Sequence, residues 1–359
     1  MNSNQYLIMA VNPGSTSTKI ALYQDLDLIF KESVEHPRSE TEKFAHIADQ
    51  LEMRKAAVLK VMQENGVSSD QLSAVVGRGG ILPPVQSGAY RVNELMLDRL
   101  INRPVSEHAS DLGAMIANEI TKPWGIPSFI YDPVSVDQVE DVARISGLPE
   151  LSRQTHCHAL NSRAVAIKIA QKLNKPYDEA SFVVAHLGGG ISLSLHYRGK
   201  MIDVVSDDGG PFSPERSGCL PTRNLVKLCY SGKYEQKDMQ KLLRGKGGLL
   251  AHLGTDDVRQ VEAMVNNGDE HARLIYFAMA YQVAKSIGEL ATVVGGDVDR
   301  IILTGGIAYS EMFTGWIREK VQYIAPVEVL AGENELESLA YGALRVLKGE
   351  EEAREYVEN

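Results

Sequence analysis

Residues 182–197 read FVVAHLGGGISLSLHY, and this stretch decides the fold. An apolar run of strand length delivers three consecutive glycines, and a second run, alternating apolar with polar residues, leaves them. The pattern predicts a buried strand entering a hairpin whose tip is Gly188, Gly189 and Gly190. Glycine lets the main chain approach an anion closely and adopt positive φ, so the tip reads as a phosphate-gripping turn offering bare backbone N–H groups. An ordinary tight hairpin is the competing interpretation.

The chain does the same thing twice. Residues 6–23, YLIMAVNPGSTSTKIALY, run from an apolar segment through a small-residue turn at 12–17 into a second strand-like run. The short strand AVVGRGG at 74–80, ending in glycines, has its counterpart in IILTGGIAYS at 301–310. Two related units, each opening with a strand, turn and strand, predict a duplicated α/β fold with nucleotide held between the lobes.

A chain of 359 residues exceeds the size at which single cores stop growing, which favours two domains. The net charge of −10, with no basic cluster or interleaved aromatic and basic residues, argues against a nucleic-acid partner. Small anionic ligands would have to be met by locally placed arginine or lysine. The three cysteines, Cys157, Cys219 and Cys229, lack CxxC spacing and leave an odd one over, as reduced cytosolic thiols do. The N-terminal stretch has neither the basic region nor the long apolar segment of a signal peptide, and nothing approaches membrane-spanning length. A cytoplasmic protein with no membrane partner is expected.

Helical spacing covers 43–65, 95–100, 108–120, 158–173 and 266–294, with a strand at 128–131. Residues 147–155, containing Pro149, mark the expected crossing between domains. A last helix at 335–348 is expected to return to the first lobe. The expected division is 1–153 with 335–359, and 154–334.

On this scaffold Arg78 stands in a glycine-flanked turn directly after a strand, where α/β enzymes bind ligands. Arg216 lies in a long irregular loop, 207–221, stiffened by proline and glycine. Asp132 ends the strand at 129–131 and precedes a proline, where a turn-capping role competes with a metal-binding one. His158 sits at a helix start beside Cys157 and His156. Without acidic or cysteine partners at metal-site spacing, the HxH pair does not read as a zinc site. His108 begins an Ala-rich helix, as a cap or a buried hydrogen-bonded histidine. The chain has no GxxxxGK[ST], strand-anchored GxGxxG, HExxH, GxSxG or kinase HRD and DFG motifs. Phosphate binding must therefore use hairpins.

Seven segments together carry a family resemblance: NPGSTSTK (12–19), VGRGG (76–80), RPVSEHASDLGA (103–114), HALN (158–161), HLGGGIS (186–192), GPFSPERSG (210–218) and TGGIAYS (304–310). In this order they resemble the acetate kinase family, and within it the butyrate type, over essentially the whole chain. The resemblance implies the duplicated ribonuclease H-like fold shared with sugar kinases, Hsp70 and actin, with a βββαβαβα core in each lobe. It also implies a homodimer and Mg²⁺-dependent phosphoryl transfer between ATP and a short-chain carboxylate, giving ADP and an acyl phosphate.

By resemblance, Arg78 holds the substrate carboxylate and Arg216 the transferring phosphoryl group. His158 donates to the phosphoryl oxygens, and His108 helps position them. Asn12, Asp132 and Glu335 arrange the Mg²⁺, with Asp132 also among the catalytic residues. The hairpin from His186 through Gly188, Gly189 and Gly190 to Ser192 takes the ATP phosphates, and Gly305, Gly306 and Ile307 flank the adenosine. Acetate kinases carry HGTSH where this chain has QTHCH, so His156 competes with His158, and Glu333 competes with Glu335. Lobe closure around nucleotide is the expected motion. An acetate or propionate kinase, and more distantly a nucleotide-switch ATPase of the same fold, are the alternatives.

Overall fold

The computed structural model describes residues 5–358, and two compact units divide them. One runs up to Asp137 and resumes at Asn334; the other spans Gln138–Glu333.

The first unit opens with β1 (Leu7–Pro13), β2 (Ser17–Gln24) and β3 (Asp27–Glu35), paired antiparallel in succession. β4 (Ala74–Arg78) lies parallel to β1, β5 (Ala89–Arg91) lies antiparallel to β6, and β6 (Ser128–Tyr131) is parallel to β4. The resulting core order is β6-β4-β1-β2-β3, extended beyond β6 by β5 and the two-residue strand Arg354–Glu355.

The second unit repeats the plan with β7 (Ser181–Leu187), β8 (Ile191–Tyr197), β9 (Lys200–Val205), β10 (Arg300–Gly305) and β11 (Val327–Ala331), ordered β11-β10-β7-β8-β9. Its pairings match strand for strand: β7 to β8 and β8 to β9 antiparallel, β7 to β10 and β10 to β11 parallel. The expected duplication is thus the architecture.

Both sheets are covered on both faces, which is why their central strands read as continuous apolar runs. In β1, Met9 and Val11 join one core with Val58, Met62 and Met115, while Ile8 and Ala10, also buried, face the other side, where helix Glu335–Leu347 packs. In β7, Val183, Ala185 and Leu187 pack under helix Glu270–Val293, and Phe182 and Val184 meet helix Ala159–Lys172. Glycine permits the closest of these contacts. A Cβ built on Gly77 would come within 2.1 Å of the Gly113 carbonyl oxygen, so helix Asp111–Thr121 rests on β4 backbone to backbone.

Several expected bounds move. The 147–155 crossing gives way to one after Asp137, because residues 138–153 bond to β9: the Glu140 amide donates to the Ile202 carbonyl and Arg153 Nη2 to the Val204 carbonyl, at 2.9 and 3.0 Å. The helix expected at 266–294 starts later, at Glu270, and runs to Val293, with a separate helix, Val258–Asn266, before it. Gly268 turns between them at φ +85°, and the Asp269 carboxylate caps the second by accepting from the Ala272 amide. Residues 43–46 lie outside the helix that begins at Leu51 after the 3-10 turn Ile47–Gln50, and His108 precedes a helix that begins at Asp111.

Candidate functional site

Each unit carries its own cluster of polar residues. In the first, three neighbouring parallel strands end side by side. The register pairs Val11 with Gly77 and Arg78 with Tyr131, so Asn12, Arg78 and Asp132 emerge at the C-terminal ends of β1, β4 and β6. Glu335 begins helix Glu335–Leu347 and joins two of them. Its Oε2 accepts from Asn12 Nδ2 at 2.5 Å, and its Oε1 is ion-paired with Arg78 Nη1. Arg78 and Glu335 both stay partly exposed.

Asp132 is buried, in a left-handed conformation with φ +39°, and its Oδ1 accepts from the Gly88 amide at 2.7 Å. His108 is exposed. Its Nδ1 accepts from the Ser110 amide at 3.2 Å, which leaves Nε2 as the protonated nitrogen of the neutral ring. It makes no bond to the Asn12, Arg78 and Glu335 trio. Its backbone amide is held by buried Asp111, whose carboxylate also accepts from the Ile81 amide and whose pKa burial raises.

No group of three His, Cys, Asp or Glu side chains is arranged to hold a metal among the described residues. Magnesium needs no such cage, since it keeps several waters and is held by one or two carboxylates together with substrate phosphates. Asn12, Asp132 and Glu335 supply only hard oxygen donors besides the Asn12 amide nitrogen, a chemistry that fits that mode.

Sequence reasoning missed Arg54 in this unit. It lies on the inner face of helix Leu51–Glu64 with Val58, Val61 and Met62, and is fully buried. Its Nη1 donates to the carbonyls of Gly14 and Ser17 at 2.8 and 3.0 Å and to Thr18 Oγ1 at 3.2 Å; Nη2 donates to the Ser15 carbonyl at 3.2 Å and Nε to Gln50 Oε1 at 3.0 Å. The available signal was a charged residue on an apolar helical stripe.

In the second unit the hairpin joining β7 and β8 carries the glycines at its tip, as expected. None of Gly188, Gly189 and Gly190 has the expected positive φ. At Gly190 and Gly188 the missing side chain serves clearance instead. A Cβ on Gly190 would fall 2.4 Å from Arg216 Nη1, and one on Gly188 would fall 3.0 Å from His186 Nε2. Arg216 thus lies directly against the tip, and Ser213 Oγ, from the same loop, donates to the Gly189 carbonyl at 2.5 Å.

Arg216 is ion-paired with Asp207, which also receives Arg244 Nη2 at 2.9 Å. Burial, reinforced by Arg244, lowers the Arg216 pKa to about 10, so the guanidinium is still charged at neutral pH. Asp207 and Arg244 were not singled out from sequence, because only the loop's folding brings them to Arg216.

His158 immediately precedes helix Ala159–Lys172, without a side-chain capping bond, and stacks on His186 of β7, ring centres 3.7 Å apart. Its Nδ1 lies 2.8 Å from Ser192 Oγ on β8, whereas His156 is exposed. The Asn161 amide donates to His186 Nδ1 at 2.8 Å, which sets the proton of the neutral ring on Nε2, 2.9 Å from Glu333 Oε1 but out of line for a hydrogen bond. The expected His158, His186 and Ser192 therefore come together, and Glu333 belongs with them rather than with Asn12.

Gly305 ends β10 at φ +90°, where a Cβ would fall 2.4 Å from the Leu187 carbonyl oxygen. Gly306 borders open space, while the Ile307 side chain is buried in the core and leaves only backbone to meet a ligand. No helix of the described residues is long and apolar enough to cross a membrane.

Residues 151–330 match the Acetokinase family. The chain is 47% identical over 354 residues to "Butyrate kinase 2" of Clostridium acetobutylicum, covering 98% of this chain and 99% of that one. In structure it is similar to Porphyromonas gingivalis acetate kinase, with a TM-score of 0.80 at 19% identity over 95% of this chain and 100% of that one. It is also similar to a propionate kinase from Francisella tularensis, with a TM-score of 0.73 at 18% identity over 94% and 98% of the two chains. Near-complete coverage of its curated relative, the family match, and paired three-strand hairpin units with polar clusters at their strand ends lead to one conclusion: this chain belongs to the acetokinase family.

Proposed function

We propose that this protein is a butyrate kinase, transferring the γ-phosphoryl group of ATP reversibly to the carboxylate of butyrate or isobutyrate. The observation that carries this is the 47% identity along almost the whole of both chains to an enzyme named for that acid. In the forward direction a carboxylate oxygen attacks the γ-phosphorus, the bond to the β–γ bridging oxygen breaks, and ADP leaves with that electron pair.

The acid is ionised at neutral pH, so no general base is required. The difficulty is electrostatic, because an anion must approach a polyanion, and catalysis rests on positioning and charge neutralisation. Arg78 would bind the carboxylate, exchanging its pairing with Glu335 for the substrate. Arg216 would stabilise the transferring phosphoryl group, with His158 donating to its oxygens and His108 helping to position it. Fork-shaped guanidinium donors suit both tasks. Backbone of Gly188, Gly189 and Gly190, with His186 and Ser192, would hold the ATP phosphates, and Gly305 and Gly306 would border the adenosine. Asn12, Asp132 and Glu335 would hold Mg²⁺, which when bound neutralises phosphate charge. We assign the substrate and metal side to the first unit and the nucleotide side to the second. Assembly as a homodimer and a cytoplasmic location complete the proposal; the three cysteines, none disulfide-bonded, are compatible with that location.

The test is acyl phosphate formation from ATP, Mg²⁺ and a panel of acids from acetate to isovalerate, with hydroxylamine trapping. A maximum of kcat/KM at butyrate or isobutyrate is expected. A maximum at acetate or propionate overturns the substrate assignment, and no product with any acid overturns the reaction.

A further inference from the structure

We infer that Arg54 is a positioning residue that aims the turn at residues 14–18 at a phosphoryl group, an inference that rests on the function proposed above. A guanidinium is always charged, and burying one is costly unless a carboxylate accompanies it. Arg54 is fully buried, burial pushes its pKa down, and none of its partners is a carboxylate. Its charge is met by the Gln50 amide oxygen, the Thr18 hydroxyl and three carbonyls of one turn.

Those carbonyls fix the turn's opposite side. In a trans peptide the C=O and the following N–H point in opposite directions. With the Gly14 and Ser15 carbonyls drawn in to Arg54, the amides of Ser15 and Thr16 face outward. Both residues are exposed, and among the described residues neither amide donates to a main-chain carbonyl. The turn is thus a small nest of N–H groups, polarised from behind by an uncompensated positive charge, in a protein whose net charge is −10.

The charge is also kept single. Thr18 Oγ1 accepts from Arg54 and is hydrogen-bonded with His36 Nε2, 2.9 Å away. Burial, together with Arg54, lowers the His36 pKa and so favours its neutral ring beside the guanidinium. Neutral donors would satisfy the same carbonyls. What the guanidinium adds is an oriented fork and a charge behind an outward-facing amide pair.

Arg54→Lys keeps the charge and loses the fork; Arg54→Gln loses both. With folding monitored by circular dichroism and melting temperature, Arg54→Lys is expected to lower kcat at least tenfold and to leave KM for the carboxylate within twofold. Arg54→Gln is expected to lower kcat further. If the folded variants keep wild-type kcat and both KM values while only the melting temperature falls, Arg54 is merely structural and the inference is overturned. Should neither variant fold, the wild-type amide resonances of Ser15 and Thr16 decide. A chemical-shift change on adding Mg²⁺ with the β,γ-imido analogue of ATP supports the inference, and no change overturns it. Wild-type enzyme that phosphorylates no acid overturns the functional proposal instead, and leaves Arg54 to be judged by those resonances.

Discussion

The imidazoles of His158 and His186 lie face to face, 3.7 Å between ring centres and 10° from parallel. Asn161 sets the His186 tautomer and Ser192 bonds His158, which leaves His158 as the member aimed by a flexible hydroxyl. Removing one preorganised donor to developing charge costs about 10²–10³ in kcat. His158→Ala is expected to lose that much with an unchanged fold, and His156→Ala to behave as wild type. Equal losses in the two variants would show that the stacked ring is not the donor.

The two arginines should separate kinetically. Arg216→Ala is expected to reduce kcat by about 10³–10⁵, the range known for arginines that meet phosphoryl charge in the transition state. Arg216→Lys should recover little of it, because an ammonium lacks the fork. Arg78→Ala should instead raise KM for the acid by roughly 10–100-fold, as loss of a charge-assisted hydrogen bond predicts. Steady-state kinetics at varied acid and fixed ATP checks the split; wild-type constants in both variants would refute the assignment.

Glycine clearance makes two contrasting predictions. In Gly190→Ala the new methyl meets the Arg216 guanidinium, the far end of a flexible side chain, so the fold should survive while kcat falls. In Gly77→Ala the methyl meets the Gly113 backbone, where neither β4 nor the helix can give way locally. Overpacking of this kind costs about 1–3 kcal/mol or more, and Gly77→Ala should unfold at clearly lower denaturant. Urea midpoints and kcat measured on both proteins test the contrast.

Acid stability should report on His196, whose buried ring lies between the Tyr177 hydroxyl and Ser194 Oγ. Burial first, and Arg163 second, lower its pKa from 6.5 to about 3. The unfolded chain therefore binds a proton that the folded protein refuses between those values. The stability is fully present above pH 6.5 and is lost as pH falls towards 3, with a slope of up to about 1.4 kcal/mol per pH unit. Urea unfolding between pH 7 and 4.5 should give a shallower slope for His196→Gln, and identical slopes would exclude the residue.

The duplicated fold could be read from local sequence, because strand and hairpin signals lie within a dozen neighbouring residues. Apolar runs around GGG and PGSTS specified β1, β2, β7 and β8, and both units then completed the same strand order. Arg78 and Asp132 were also legible, since a polar residue just past a buried strand must emerge at the sheet's C-terminal edge. The start of the long helix at Glu270, and the separate helix Val258–Asn266 before it, were harder to see, because the Gly268 turn and the Asp269 cap between them leave no change in apolar pattern.

What only the tertiary structure decided are the partnerships between residues far apart in the chain. Sequence spacing has no term for Asp207 meeting both Arg216 and Arg244, Glu333 lying against His186, or Arg54 reaching back to residues 14–18. Sequence alone determined which backbone segments are buried strands and where their polar ends fall, since alternation and glycine act locally. Which side chains share a charge, and which glycines are needed for clearance rather than for φ, was set by long-range packing that brings separate loops together.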